Sequence, residues 1–211
     1  MTSDDIQARL LEAAILPILT INDVESSLER VGVLVGAGVQ AIEIVLRTPA
    51  ARDSILAVRS AFPDLLVAAG TVVSPALIEL AIDAGAHLAI TPGLPPHLIE
   101  AYRGCPLPVV PGVLSPTEVL SAVHAGYRLL KYYPAVASNG SVVLEDYINL
   151  FPGTQFIPTG KIGFDTLAAF AGLKNVTCIG GSWMHSGPLE GVGEKVSRSL
   201  SIVRSARQGR V

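Results

Sequence analysis

Three charged side chains fall where strand periodicity points them into an apolar interior, and their types together define a chemistry. In residues 128–134, Arg-Leu-Leu-Lys-Tyr-Tyr-Pro, a period of two puts Leu129, Lys131 and Tyr133 on one face and Leu130 and Tyr132 on the other. In residues 41–48, Ala-Ile-Glu-Ile-Val-Leu-Arg-Thr, the same period sets Glu43, Val45 and Arg47 against an apolar face of Ile42, Ile44 and Leu46. A buried ammonium is costly unless it is paired or neutral, so Lys131 needs either an acid or a reaction that uses its amine. Glu43 and Arg47 could pair with each other, but an inward Lys131 gives Glu43 a second partner. An amine nucleophile beside a carboxylic acid/base in a dry cavity is what Schiff-base chemistry on a ketone requires.

Two glycine loops suggest the other end of a substrate. Thr159-Gly160-Lys161 and Gly180-Gly181-Ser182 each follow an apolar strand pattern, and such loops bind phosphate through backbone N–H groups that glycine leaves unobstructed. Gly70-Thr71, Thr91-Pro92-Gly93 and Pro111-Gly112 also fall at strand ends. Pro92, Gly93, Pro111 and Gly112 set backbone direction there, whereas the Thr71 hydroxyl is a candidate, with Arg47, for holding a substrate carboxylate. Trp183 and Met184 are read as packing beside the second loop. His87, His97, His124 and His185 lack ligand spacing, so no metal is expected, and the chemistry read from Lys131 and Glu43 is expected to need no cofactor.

These residues need a frame that brings strand ends together. Strands are expected over residues 15–21, 41–46, 65–69, 87–91, 108–110, 129–133, 155–157 and 177–179. Helices are expected over 24–36, 50–61, 75–84, 95–102, 116–125, within 142–151, over 164–171, and from about 191 onward. Ser74-Pro75 and Ser115-Pro116 open helices that end at Gly85 and Gly126, with serine as the cap, proline in the first turn and glycine just past the end. Strands alternating with helices at this spacing mean parallel βαβ units, and eight of them predict an α/β fold, a (β/α)8 TIM barrel. A helix after Thr2, carrying Ile6, Leu10, Leu11 and Ala14, precedes the first strand and is an extra N-terminal element. An open doubly wound sheet would want a Gly-rich turn after its first strand, where only Asn22-Asp23 stands. Residues 1–211 are read as a single domain.

Composition limits the alternatives. A net charge of −3 with no basic run gives no footprint for nucleic acid, and Arg198, Arg204, Arg207 and Arg210 are read as the solvated face of a final helix. Charges interrupt every apolar stretch, so neither a membrane span nor a signal peptide is expected. Cys105 and Cys178, far apart, are read as reduced core residues, consistent with a cytoplasmic protein.

The motifs also resemble a known family. Leu-Pro-Ile-Leu at 16–19, Glu-Ile-Val-Leu-Arg-Thr at 43–48, Ala-Gly-Thr-Val at 69–72, Ile-Thr-Pro-Gly at 90–93 and Val-Pro-Gly-Val at 110–113 occur in the order seen in the 2-keto-3-deoxy-6-phosphogluconate (KDPG) / 4-hydroxy-2-oxoglutarate (KHG) aldolases. Leu-Lys-Tyr-Tyr-Pro-Ala at 130–135, Pro-Thr-Gly at 158–160 and Ile-Gly-Gly-Ser-Trp at 179–183 complete the similarity. The resemblance implies a metal-free class I aldolase, usually a homotrimer, acting on a phosphorylated 2-keto-3-deoxy sugar acid or on pyruvate. Its place would be the Entner–Doudoroff route.

By motif, Lys131 would be the Schiff-base lysine and Glu43 the acid/base. Arg47 and Thr71 would hold the carboxylate, and Thr159 would face the substrate hydroxyls, its threonine leaning toward the gluconate epimer over the galactonate one. Gly160, Lys161, Gly180, Gly181 and Ser182 would form the phosphate site, with Pro92 and Tyr133 lining the pocket. Three positions depart from the family: Lys161 stands where a second glycine is common, Val136 where an acidic residue is frequent, and Tyr133 where phenylalanine is usual. KHG cleavage, a phosphosugar-binding barrel without catalysis and a metal-dependent aldolase are the alternatives.

Overall fold

Thr2 opens the chain with a reciprocal cap: its hydroxyl accepts from the Asp5 amide while the Asp5 carboxylate takes the Thr2 N–H, and helix α1 (Ser3–Ala13) follows. The computed structural model describes residues 1–209, so Arg210 of the basic tail lies outside the described residues. After α1 come β1 (Ile15–Leu19), α2 (Val24–Gly36), β2 (Ala41–Val45), α3 (Ala51–Ala61), β3 (Leu66–Gly70), α4 (Pro75–Asp83) and β4 (Leu88–Ile90). A 3-10 turn, Pro96–Leu98, leads into α5 (Ile99–Arg103), and β5 (Val109–Val110), β6 (Gly112–Val113), α6 (Pro116–His124) and β7 (Leu129–Tyr132) follow. The series ends with α7 (Gly140–Leu150), β8 (Gln155–Pro158), α8 (Leu167–Ala171), β9 (Ile179–Gly181) and α9 (Val192–Gln208).

The fold is α/β, and the strand pairings are parallel. One sheet runs in the order β5-β4-β3-β2-β1-β9 and the other β6-β7-β8. Two junctions connect them. At one, β5 and β6 are a single stretch of chain broken at Pro111, which has no N–H for a ladder, while its carbonyl still accepts from Lys131 at 2.9 Å. The Thr91 hydroxyl takes the Gly112 N–H at 3.2 Å and so spans the break. At the other, isolated parallel bridges join Phe156 to Val176 and Thr159 to Gly180.

Alternation along the strands divides the buried side chains into two sets. Ile42, Ile44, Leu130, Tyr132 and Phe156 pack outward with the helices. Ala41, Leu66, Ala68, Leu88, Ile90, Leu129, Ile157 and Cys178 form an inner cluster, which α1 joins through Ile6, Leu10 and Ala13. Complete burial of each large member contributes about 1.5–3 kcal/mol. Burial also pushes the Cys178 thiol up to about 12, so it stays protonated in the interior; Cys105 is half-buried.

Several boundaries differ from the expected ones for local reasons. The first strand stops at Leu19, and the Ile21 carbonyl is instead taken by the Thr48 hydroxyl. The helix expected over 95–102 starts as a 3-10 turn behind Pro95-Pro96. Helix α8 starts at Leu167 because Gly163 and Thr166 close a hydrogen-bonded turn first. The last strand pairs with β1 through Ile179–Gly181, with Thr177 engaged separately by Phe156. In the basic tail, Arg198 covers the Phe164 ring at 4.1 Å and Arg207 donates to Leu11 and Thr177 carbonyls, so neither is simply a solvated charge. Among the described residues, no helix is long and apolar enough to cross a membrane.

Candidate active site

Register decides which side chains meet. Glu43 is flanked by Ile18 and Ala68, and Lys131 by Gly112 and Ile157, so the two face each other across the interior from β2 and β7. Lys131 Nζ lies 3.1 Å from Glu43 Oε1 and 3.4 Å from Oε2, with 8% of the lysine and 1% of the glutamate exposed. At that burial the pair is held by mutual compensation: removing one partner leaves an uncompensated group at a cost of about 3–5 kcal/mol.

Gly70 makes room for the pair. A Cβ at residue 70 would sit 2.2 Å from Glu43 Oε1 and 2.7 Å from its Cγ, a spacing no methyl tolerates. Gly70→Ala is therefore expected to drive the carboxylate away from Lys131. Overpacking of this kind costs about 1–3 kcal/mol, and misplacing a reacting group by about 1 Å costs on the order of 100-fold in rate. Thermal melting together with kcat/KM checks this, and an unchanged kcat/KM would show that the carboxylate's position does not matter.

Arg47 is not on the inward strand face. Strand β2 ends at Val45, and a tight turn in which the Arg47 amide bonds the Val45 carbonyl at 2.9 Å carries Arg47 to the exposed rim. Its Nε donates to Thr71 Oγ1 at 2.9 Å, which fixes the plane of the guanidinium. Thr71 has φ +60°, a left-handed conformation that a β-branched residue adopts only under strain, about 1–3 kcal/mol. The hydroxyl predicted to matter is thus held at the strand mouth by unusual backbone geometry.

The two glycine loops are brought side by side by the Thr159–Gly180 bridge. Gly180 permits this closeness, since a Cβ there would lie 2.5 Å from Thr159 Oγ1. The carbonyls of Thr159 and Gly160 accept from the amides of Ala135 at 2.8 Å and Val136 at 3.2 Å. In a trans peptide N–H and C=O point in opposite directions, so the Gly160 and Lys161 N–H groups turn away from that contact together. The Lys161 amide donates to no other group among the described residues, and the same holds for the Ser182 amide and hydroxyl. Gly160 and Lys161 have φ +114° and +56°, giving a small concavity of N–H groups suited to an anion. The left-handed region disfavours a lysine by about 1–2 kcal/mol. The Val136 contact is made by backbone, so it does not depend on the side chain at that position.

The remaining predicted residues separate into rim and support. Tyr133 lies beyond the end of β7 and is 44% exposed rather than inward, its amide bonded to the Val113 carbonyl at 3.1 Å and its ring against Gly160. Pro92 is exposed, with its carbonyl carbon packed on Gly112. Trp183 Nε1 donates to Ser199 Oγ at 3.0 Å, and Met184 is fully buried.

Sequence reasoning missed the residues that pin the second glycine loop. His185 Nε2 donates to the Ile18 carbonyl at 2.7 Å, and burial holds its pKa below the usual histidine range, so the ring stays neutral. Arg30 donates to the His185 and Gly187 carbonyls, and Lys195 to that of Ser186. No local pattern could reveal them, because His185 and Arg30 act on backbone far away in the chain and Lys195 reaches back nine residues to a loop carbonyl. Among the described residues, no cluster of three or more His, Cys, Asp or Glu side chains is placed to hold a metal ion.

A buried amine touching a carboxylate, an arginine fork at one rim and unpaired N–H donors at another suit a keto acid whose far end is anionic. The chain matches the family model for KDPG and KHG aldolase over residues 6–193. The chain belongs to the KDPG and KHG aldolase family. Members of this family are lyases. The 2-dehydro-3-deoxy-phosphogluconate aldolase of Pseudomonas aeruginosa is 36% identical over 173 residues, spanning 82% of this chain and 79% of that one. The KHG/KDPG aldolase of Escherichia coli is 32% identical and spans 95% and 93%. A crystal structure of the Legionella pneumophila KDPG aldolase, with pyruvate captured as a covalent carbinolamine, superposes with a TM-score of 0.83 at 31% identity, covering 95% and 97%.

Proposed function

We propose that this chain is a class I aldolase that cleaves KDPG to pyruvate and glyceraldehyde 3-phosphate. The observation that carries the proposal is the buried contact of 3.1 Å between Lys131 and Glu43. Transfer of a proton to Glu43 leaves a neutral Lys131 amine, which attacks the C2 ketone to give a carbinolamine. Glu43 returns a proton to the departing hydroxyl, and water leaves to form the iminium. Glu43, directly or through a water, then takes the C4 hydroxyl proton. The C3–C4 bond breaks, its electron pair passes into the iminium to form an enamine, and the aldehyde departs. Protonation of the enamine at C3 and hydrolysis release pyruvate and restore the lysine.

The other residues have separate tasks in this reading. With Nε committed to Thr71, the outer nitrogens of Arg47 are left to grip the substrate carboxylate. Thr159, 6% exposed and beside the bridge, faces the substrate hydroxyls and favours the gluconate epimer. The amides of Gly160 and Lys161, the backbone at Gly180 and Gly181, and Ser182 bind the phosphate, while Pro92 and Tyr133 form walls. The nine strand segments count as eight units of one closed (β/α)8 barrel, β5 and β6 being halves of one strand, with α1 outside the repeat and residues 1–211 as one domain. We further propose a cytoplasmic homotrimer, in keeping with the family resemblance.

Comparison of substrates tests the reading. Ser182→Ala removes a hydrogen bond to a charged phosphate, a loss of about 1.5–3 kcal/mol, or roughly 10–100-fold in kcat/KM. That loss is expected with KDPG and not with KHG, whose aldehyde product carries no phosphate. Equal losses, or efficient cleavage of KHG alone, would reassign the substrate.

A further inference from the structure

We propose that the ammonium of Lys161 is the charge-selective element of this site, making the enzyme prefer dianionic phosphorylated substrates over 4-hydroxy-2-keto acids without phosphate. The inference rests on the assignment of the Gly160 loop to phosphate. It adds a side chain to what was until now a backbone cradle.

The first observation is that Lys161 occupies a conformation suited to glycine, φ +56°, directly after Gly160 at φ +114°. Glycine would present the same N–H without the steric penalty, so the backbone contact does not account for the lysine. The second is that the Lys161 side chain is exposed and has no hydrogen bond or ion pair among the described residues. Other residues with positive φ have evident local roles: Thr71 receives the Arg47 bond, and Asn139 begins helix α7. The Asn139 backbone accepts from the amides that open α7, whereas Lys161 follows the bridge in a loop whose backbone would be served as well by glycine.

The third observation is its surroundings. Lys161 lies two residues past Thr159, and Ser182 two residues past Gly180, on the two strands joined by the Thr159–Gly180 bridge. The unpaired groups described there are the neutral amides of Lys161 and Ser182 and the Ser182 hydroxyl. The nearby cations of the site are committed elsewhere, Lys131 to Glu43 and Arg47 to Thr71 at the exit of β2. Arg30 and Lys195, on the Ser182 side, are held to the carbonyls of His185, Gly187 and Ser186, so Lys161 offers an entering dianion a positive charge with no hydrogen-bond partner within the chain, on a flexible stem that can follow it. Neutral donors fix where the phosphate sits; a positive charge favours a phosphate dianion there over KHG, whose far end is a singly charged carboxylate, and does so in a salt-dependent manner.

The test compares wild type with Lys161→Gly and Lys161→Met, measuring kcat and KM for KDPG and KHG from low to high potassium chloride, with thermal midpoints alongside. Both variants are expected to raise KM for KDPG about 5–10-fold, to lower the KDPG-to-KHG ratio of specificity constants by a similar factor, and to flatten its salt dependence. Lys161→Gly is also expected to melt higher than wild type, because strain is released while selectivity is lost. Unchanged KDPG kinetics in both variants, with Ser182→Ala still impaired, would overturn the role of the ammonium and leave phosphate binding to the neutral donors. Unchanged kinetics in Ser182→Ala as well would place the failure in the phosphate assignment itself.

Discussion

Borohydride reduction in the presence of pyruvate should leave a stable adduct on Lys131, and Lys131→Met should lose aldol cleavage by a factor on the order of 10⁴–10⁶. The lysine supplies both the bond to C2 and the electron sink, and removal of a covalent nucleophile typically costs that much. Methionine fills nearly the same volume, so packing around the inner cluster is retained. The consequence to control for is Glu43, which would be left buried without its cation and would destabilise the variant by up to about 3–5 kcal/mol unless it takes up a proton. Lys131→Met combined with Glu43→Gln removes both charges and should recover much of that stability while remaining inactive. Peptide mapping that found the adduct on Lys161, or no adduct on a folded protein, would sink the mechanism.

Glu43→Gln separates carbon–nitrogen bond formation from carbon–carbon cleavage. Glutamine retains the shape and can still accept a hydrogen bond from Lys131, but cannot receive or return protons. General acid/base catalysis contributes about 10²–10⁴-fold, and kcat is expected to fall by that factor. Pyruvate trapping on Lys131 should persist, only more slowly. Retention of kcat in Glu43→Gln would mean that solvent or another side chain moves the protons.

What could be read in the sequence, and what could not, follows from the range of each signal. Glu43 and Lys131 were legible because alternation along a strand is strictly local, and the structure places both inside. The Ser74 and Ser115 caps and the turns at Gly85 and Gly126, with φ +71° and +97°, were legible for the same reason. Arg47 and Tyr133 were misplaced by the same rule, since both follow the last residue of a strand and alternation says nothing about where a ladder ends. The break at Pro111 needed Thr91, twenty residues earlier in the chain, to become intelligible. Left-handed Thr71 and Lys161 carry no signature at all in residue type. Gly70 looked like a turn former, and only the approach of the Glu43 carboxylate gives it a steric role.

The inner cluster has one more consequence, concerning the medium in which the lysine works. Ile6, Leu10 and Ala13 of α1 share that cluster with Leu129 and Ile157, neighbours of Lys131 in sequence and in register. On the proposed assignment of the site, the first helix would act as insulation, closing the interior on one side of the ion pair with apolar side chains. Polarity introduced at Leu10 would be felt electrically, as a wetter and more screened pair, without any residue of the substrate mouth having moved. The proposed chemistry of the amine would then depend on a segment outside the set of residues assigned to the substrate.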